Sequence, residues 1–329
     1  MLRQNLSIAA AIACLGACTL PASANGLGAA SSFNVWVLGN ATTNGGESEG
    51  AVAVGGNWNL QNNWNSVIHN IPGVVPGDDH IGSYIQGNLS GGGRMQLEDG
   101  TDLYVGSTVD SSNQFNYNSG TFGTGKLLTG NNPVADNIVS QSAKYLTNLS
   151  GTLAGYAGTS VDTSNQNGWT LDASTANTYS TGSGKSLVVF DVAASALSDN
   201  AIIALNNVTS NDSILVNVTG SLNGIQWNAD AQNSSSIANQ ILWNYTGSDS
   251  FSINRIFDGS LLAPNATVTQ SADVNGTLIA GNWNNTGVED HSYNFTGNLP
   301  SPPPVPEASS VLGLAGMLAI GGLSVRRRR

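Results

Sequence analysis

Ala51-Val52-Ala53-Val54-Gly55-Gly56-Asn57-Trp58 is an apolar run closed by a Gly-Asn corner and followed by an aromatic. The same rhythm returns in Ser83-Tyr84-Ile85-Gln86-Gly87-Asn88-Leu89 and in Gly276-Thr277-Leu278-Ile279-Ala280-Gly281-Asn282-Trp283. Short strands separated by such corners suit a β-solenoid or a barrel. In a solenoid, small and branched side chains stack into a narrow core, and Gly and Asn take corner positions that need φ > 0.

Working outward, further strands are expected at Phe33 to Leu38, Ser186 to Val192, Ala201 to Leu205, Ser213 to Val218, Gln240 to Tyr245 and Thr277 to Ile279. Many alternate apolar and polar residues, as in Ile214-Leu215-Val216-Asn217-Val218. One helix is predicted. Asn132-Pro133 is a start signal, and Ile138, Val139, Ser142, Tyr145, Leu146, Leu149 and Leu153 follow at helical spacing to about Ala154. A single amphipathic helix in a β-rich chain is expected to lay its apolar face along the sheet.

Composition narrows the function. Only 9% of the 329 residues are charged, against about 25% in average soluble chains. The formal net charge is −11, so a nucleic-acid partner is not expected, because phosphate neutralisation needs clustered Lys or Arg. Both cysteines, Cys14 and Cys18, fall in the N-terminal segment, which excludes thiol, disulfide and zinc-thiolate chemistry from the body.

Residues 1–24 read as a secretory signal peptide: Arg3 is followed by the apolar stretch Leu6 to Leu20, and Ala22-Ser23-Ala24 is the cleavage pattern. Leu15-Gly16-Ala17-Cys18 also resembles a lipobox, which would lipidate Cys18 instead. At the other end, the Pro-rich spacer Leu299 to Glu307 precedes the apolar stretch Ala308 to Val325 and then Arg326, Arg327, Arg328 and Arg329. An apolar segment closed by cations is a stop-transfer arrangement, predicting a transmembrane helix at residues 308–325. Val305, Pro306, Glu307 and Ala308, the helix and the Arg tail together resemble the PEP-CTERM sorting signal, with Ala308 where that family usually has a second Pro. The resemblance implies an exosortase-like processing enzyme as partner and delivery to the cell envelope, cell surface or extracellular matrix.

The body, residues 25–298, resembles the choice-of-anchor A domain in Phe33-Asn34-Val35-Trp36-Val37-Leu38-Gly39-Asn40 and in Glu47-Ser48-Glu49-Gly50-Ala51. Gly259-Ser260-Leu261-Leu262-Ala263-Pro264-Asn265-Ala266 and Gly276 to Ala280 resemble the closing turns of right-handed β-helix adhesins, including the ice-binding-like group with its flanking helix. The implied fold is mainly β: a right-handed β-helix with one long flanking α-helix. The implied role is adhesive, as a non-enzymatic surface or biofilm-matrix protein.

Candidate site residues are few. Trp58, Trp64, Trp227 and Trp283 sit beside amides, and exposed indoles flanked by Asn stack sugar rings; packing inside the fold is the other reading. An extracellular polysaccharide is the partner the first reading implies. Glu98-Asp99-Gly100-Thr101-Asp102 is the densest acidic cluster, and its oxygens could hold calcium at Asp99 and Asp102; no other cofactor is indicated. Asp78-Asp79-His80 and Asp290-His291 pair acid with imidazole, but without a metal-ligand spacing. Glu47 and Glu49 would share one side of an extended segment, so a secreted carbohydrate-active enzyme is an alternative. An ice-binding-like adhesin is another; it would need ranks of Thr, and Thr267-Val268-Thr269 is the only compact Thr-x-Thr.

Overall fold

The computed structural model describes residues 26–300 except 72, 76–77, 131–132, 182–183 and 232–236. Cys14, Cys18, Ala22, Ala24, the sorting residues Val305, Pro306, Glu307 and Ala308, and Arg326 to Arg329 lie outside the described residues. Among those described, no helix is long and apolar enough to cross a membrane. The chain is mainly β with one long helix, and apart from the antiparallel pairings of Gly73–Val75 and Asn177–Ser180 the strands form parallel ladders wrapped round one axis. The solenoid expected from the Gly-Asn rhythm is therefore the architecture, and the barrel is not.

Its winding is not sequential. Along one ladder the order is Leu127–Thr129, Asp102–Val105, Asp78–Ile85, Val52–Val54 and Val35–Val37, and then Leu278–Asn285, Ser260–Gln270, Ile241–Asn244, Asp212–Thr219 and Ser186–Ala193. The first coil thus lies in the middle, between the second coil (Val35↔Val52) and the last (Val35↔Leu278). The chain winds outward to Thr129, crosses back along the whole stack, and winds inward until it meets its own beginning.

The crossing is made by helix α1, Pro133–Ala154, at the bounds its periodicity predicts. Nine ladder steps at about 4.8 Å separate Leu127–Thr129 from Ser186–Ala193, roughly 43 Å. A helix of 22 residues spans about 33 Å, and the short connections cover the rest. Val139, Leu146, Leu149 and Leu153 are buried against Trp36, Ala53, Leu215, Leu242, Leu262 and Ile279 on the outer side of this ladder. We call it the helix face. Its strands are apolar on both sides, as expected of parallel strands covered twice. In Asp212–Thr219, Ile214, Val216 and Val218 point inward while Leu215 meets the helix layer.

Polar side chains of the same face hold the helix ends. The Tyr84 hydroxyl donates to Asp136 in the first turn, and burial beside that carboxylate pushes the phenol far above its ordinary range. At the C-terminal end the Asn217 Nδ2 donates to the carbonyls of Leu153 (3.2 Å) and Tyr156 (3.3 Å), and the Asn244 Nδ2 donates to Ser150 O (3.0 Å). These amides add side-chain donors to the last turns of the helix and its exit, where Leu153 O also accepts the Tyr156 N–H (3.1 Å).

The Gly-Asn corners do stack, but not for the reason expected. Gly39, Gly56, Gly87 and Gly281 are absent from the positive-φ glycines. A Cβ on Gly56 would lie 2.7 Å from Gly39 O, and one on Gly87 would lie 2.5 Å from Gly56 O. Close approach of successive coils, not a left-handed backbone, selects glycine there.

Candidate functional site

The solenoid presents three faces with different chemistry, and alternation along each strand decides which residues reach solvent. The helix face is covered by α1 and by the segments around Phe33, Phe295 and Leu299. A second face contains the strands Gln226–Trp227, Ser250–Ile253, residues 267–270 and 282–285, Ala41–Thr43, Trp58–Leu60 and Leu89–Ser90. A third contains Phe257–Asp258, Val274–Asn275, Glu289–His291, Gly46–Gly50, Trp64–Ile71, Arg94–Leu97 and Gln114–Tyr117.

Inward residues of the second and third faces form an aromatic core. Trp58, Trp64 and Trp283 meet edge to face, with centroids 5.7, 6.4 and 5.5 Å apart. Trp227 packs on Trp243 at 5.1 Å and on Phe257 at 5.0 Å. Trp58 Nε1 donates to Thr43 Oγ1 (2.9 Å), Trp64 to Ser66 Oγ (3.1 Å), Trp283 to Gln270 Oε1 (2.9 Å) and Trp227 to Ala229 O (3.2 Å). Each of the four candidate indoles is at most 1% exposed. No ring face is open to a sugar, which corrects the stacking expectation for Trp58, Trp64, Trp227 and Trp283. In Asn57-Trp58-Asn59 the indole faces the core and both amides face water.

Those amides belong to the second face, whose outward residues are in register. One row is Gln226, Ser252, Thr269, Asn284, Thr42, Asn59 and Ser90. A second is Ser250, Thr267 and Asn282, continued by Asn40, Asn57 and Asn88 through amide-to-backbone bonds. A third runs through Asn254, Ser271, Thr286, Asn44 and Gln61, held by ladder bonds such as Gln61 N–H to Thr43 O (2.9 Å). All these residues are uncharged amides or hydroxyls and all reach solvent. We call this the neutral face; sequence reasoning missed it, although the polar partners alternating with Trp58 and Trp283 carried the signal.

The third face is acidic. The register places Asp273, Glu289 and Glu47 side by side. Burial, and then the charges of Glu47 and Asp273, raise the Glu289 carboxyl above its ordinary value. Glu49 serves the seam between first and last coils: its Oε1 meets His291 Nδ1 at 3.0 Å, and its Oε2 accepts from Ser292 N–H (2.8 Å) and Oγ–H (3.1 Å). Both oxygens are occupied, so Glu49 is poorly placed for acid–base work. Glu47 accepts from Asn65 Nδ2 at 3.3 Å.

The acidic turn does not gather its carboxylates. Asp102 is 1% exposed; its Oδ1 accepts from Lys126 N–H (2.9 Å), and its Oδ2 faces Lys126 Nζ at 3.4 Å and His80 Nε2 at 3.7 Å. Asp99 sits at a left-handed turn position, φ 56°, and Glu98 accepts from Gln96 (2.6 Å) and Asn118 (2.8 Å). Among the described residues no group of three or more His, Cys, Asp or Glu is arranged to hold a metal. Asp99 and Asp102 therefore do not form the calcium site considered for them; the protein's own Lys126 ammonium already faces Asp102. The side chains of Asp78 and Asp79 lie outside those described.

A family model described as "Putative Ice-binding-like adhesive domain" matches residues 26–292. No curated protein matches the chain. Among solved structures, an ice-binding protein from the Antarctic ascomycete Antarctomyces psychrotrophicus is 14% identical, covering 86% of this chain and 100% of its own, with a TM-score of 0.29. An ice-binding protein from an Antarctic biological consortium is 16% identical, covering 83% and 91%, with a TM-score of 0.31. A glycosylated ice-binding protein from an Arctic yeast is 11% identical, covering 87% and 97%, with a TM-score of 0.33. These chains superimpose only in part, and the solenoid stands on the registers of this chain itself.

Proposed function

The chain belongs to the ice-binding-like adhesive domain family, and on that premise we propose that it is a non-enzymatic surface adhesin whose neutral face holds an uncharged, hydroxyl-rich polysaccharide. One observation carries the reading: the three rows of Asn, Ser, Thr and Gln contain no charge, while the face beside them concentrates carboxylates. Amides and hydroxyls both donate and accept hydrogen bonds, so such a surface pairs with a hydroxylated one. Single contacts of this kind are weak, and in-register repetition supplies affinity through many at once. Because no ion pair is involved, adhesion of this kind is insensitive to salt and to chelators.

Ice is the second reading, favoured by the family description and by Thr42, Thr267, Thr269 and Thr286 on this face. Asn and Ser interrupt each row, so no unbroken Thr rank forms, and the polysaccharide is preferred. Adsorption of the protein to insoluble neutral glycans and to ice, at low and at high salt with and without chelator, tests both. Retention on glycan that survives salt and chelator supports the proposal; salt-labile or chelator-labile retention argues for the acidic face instead.

The same proposal includes delivery. Cleavage after Ala22-Ser23-Ala24 sends residues 25–298 across the inner membrane, and residues 299–329 act as a PEP-CTERM-type signal for an exosortase-like enzyme, as in choice-of-anchor A proteins. The intact mass of the protein from its native cells tests this: ends at Asn25 and near Pro306 support it, an end at Arg329 points to a retained membrane anchor, and a lipidated Cys18 to a lipoprotein.

A further inference from the structure

We propose that the corner between the helix face and the neutral face is a hydrogen-bond donor rail, which seats a neutral polysaccharide chain along the solenoid axis. It rests on the adhesive reading above and names the part of the face that orients the ligand. Asn282, Asn40, Asn57 and Asn88 occupy one corner of successive coils. The Asn282 Oδ1 accepts the Asn40 N–H at 2.9 Å, the Asn40 Oδ1 accepts the Asn57 N–H at 2.9 Å, and the Asn57 Oδ1 accepts the Asn88 N–H at 2.9 Å. The Asn88 Oδ1 closes the row by accepting the Thr108 N–H (3.1 Å) and Oγ1–H (2.6 Å).

A backbone N–H can be received only by the amide oxygen, so the orientation of all four amides is fixed. Every amide oxygen of the row already receives a bond from within the protein, and every Nδ2 is left over. Asn40 and Asn57 are exposed, Asn88 and Asn282 half-buried. The result is four donor groups, about 4.8 Å apart along the axis, locked before any ligand arrives. Such preorganisation reduces the ordering cost of binding. Gly39, Gly56, Gly87 and Gly281, one residue earlier in each coil, carry no side chain that would obstruct the corner.

A row whose uncommitted groups are donors selects a ligand that accepts at repeated intervals. Polyanions accept strongly, but a chain with a formal charge of −11 repels them. The hydroxyl and ring oxygens of an uncharged polysaccharide meet both conditions. The neighbouring row, Asn284, Thr42, Asn59 and Ser90, donates and accepts, and suits the outer hydroxyls of the same chain. Water in ice donates as often as it accepts, so a rank whose uncommitted groups are donors is less suited to it.

The test uses affinity electrophoresis of the wild-type protein in gels containing a soluble neutral β-glucan or dextran, with ice adsorption in parallel. Asn57→Asp and Asn40→Asp keep the oxygen that receives the next coil and replace only Nδ2, so the ladder survives. Asn57→Leu removes the donor without adding charge, and Asn116→Asp adds the same charge on the acidic face. The rail predicts at least about fivefold weaker glycan binding for all three rail variants, with Asn116→Asp unchanged and the Asp variants unfolding at the wild-type midpoint. Wild-type retention with undiminished binding by Asn40→Asp and Asn57→Asp overturns the rail and leaves the adhesive reading standing. Weakening by Asn57→Asp but not by Asn57→Leu is a charge effect and also overturns it. Failure of the wild-type protein to bind any neutral glycan, with or without adsorption to ice, overturns the polysaccharide reading itself.

Discussion

Gly56 shows how a single position enforces coil spacing. Its absent Cβ would lie 2.6 Å from Asn40 Oδ1 and 2.7 Å from Gly39 O, and the latter is backbone that cannot yield. Gly56→Ala should therefore destabilise the protein by about 1–3 kcal/mol, read as a shift in denaturant midpoint. Gly151 is the counter-example: it sits in α1 with nothing within 4 Å of its added Cβ, and Gly151→Ala should stabilise by about 0.5–1 kcal/mol. Asp290 makes a pH prediction. It is fully buried, its Oδ1 accepts from Gln270 Nε2 at 3.0 Å, and its Oδ2 has no hydrogen-bond partner in the structure. Burial raises its carboxyl well above the ordinary value, so the folded state holds a proton that the unfolded chain releases. Its contribution is present in full below the unfolded carboxylate pKa of about 3.9 and is lost as pH rises toward the folded value. Asp290→Asn should flatten that slope in urea titrations between acid and neutral pH; an unchanged slope would mean another group sets it. At this scale the sequence was legible in pattern but not in direction. Asn57-Trp58-Asn59 announces alternation, yet nothing in three residues says which side is the core.

Helix α1 was legible as an element, because Asn132-Pro133 and the recurrence of Val139, Leu146, Leu149 and Leu153 mark a start and one apolar stripe. Its task was not legible, since spanning the stack depends on where Thr129 and Thr159 end up, and only long-range register decides that. The stripe and the two Asn clamps make separate predictions. Leu149→Ala removes a fully buried side chain between the helix and its face and should destabilise by about 2–5 kcal/mol. Asn217→Ala removes the amide donor to the Tyr156 carbonyl and one of the two donors to Leu153 O, which keeps the Tyr156 N–H (3.1 Å), with an expected loss of about 1–3 kcal/mol. Early amide exchange confined to the last turn of α1 in Asn217→Ala would show that the clamp acts locally; uniform exchange across the helix would contradict that.

In the whole molecule, the first and last coils are neighbours. Asn34 Nδ2 donates to Gly276 O (3.0 Å) and His291 O (3.2 Å), and Glu49 clasps His291 and Ser292. The Phe33 to Ala51 segment and the Gly276 to Ala280 segment each read as solenoid turns in the sequence, but their adjacency has no local signature. The same closure assembles the neutral face, because Thr42 and Asn59 come from the beginning of the chain and Thr269 and Asn284 from its end. The central claim is that this assembled face is the adhesive surface. The most direct measurement is retention on insoluble neutral polysaccharide of a variant carrying Asn59→Lys and Asn284→Lys, two outward positions separated by Thr42, with the unfolding midpoint recorded alongside. The account predicts at least about tenfold weaker retention, equivalent to about 1.4 kcal/mol, at an unchanged midpoint. Wild-type retention by that folded variant would place adhesion elsewhere on the molecule and contradict the account.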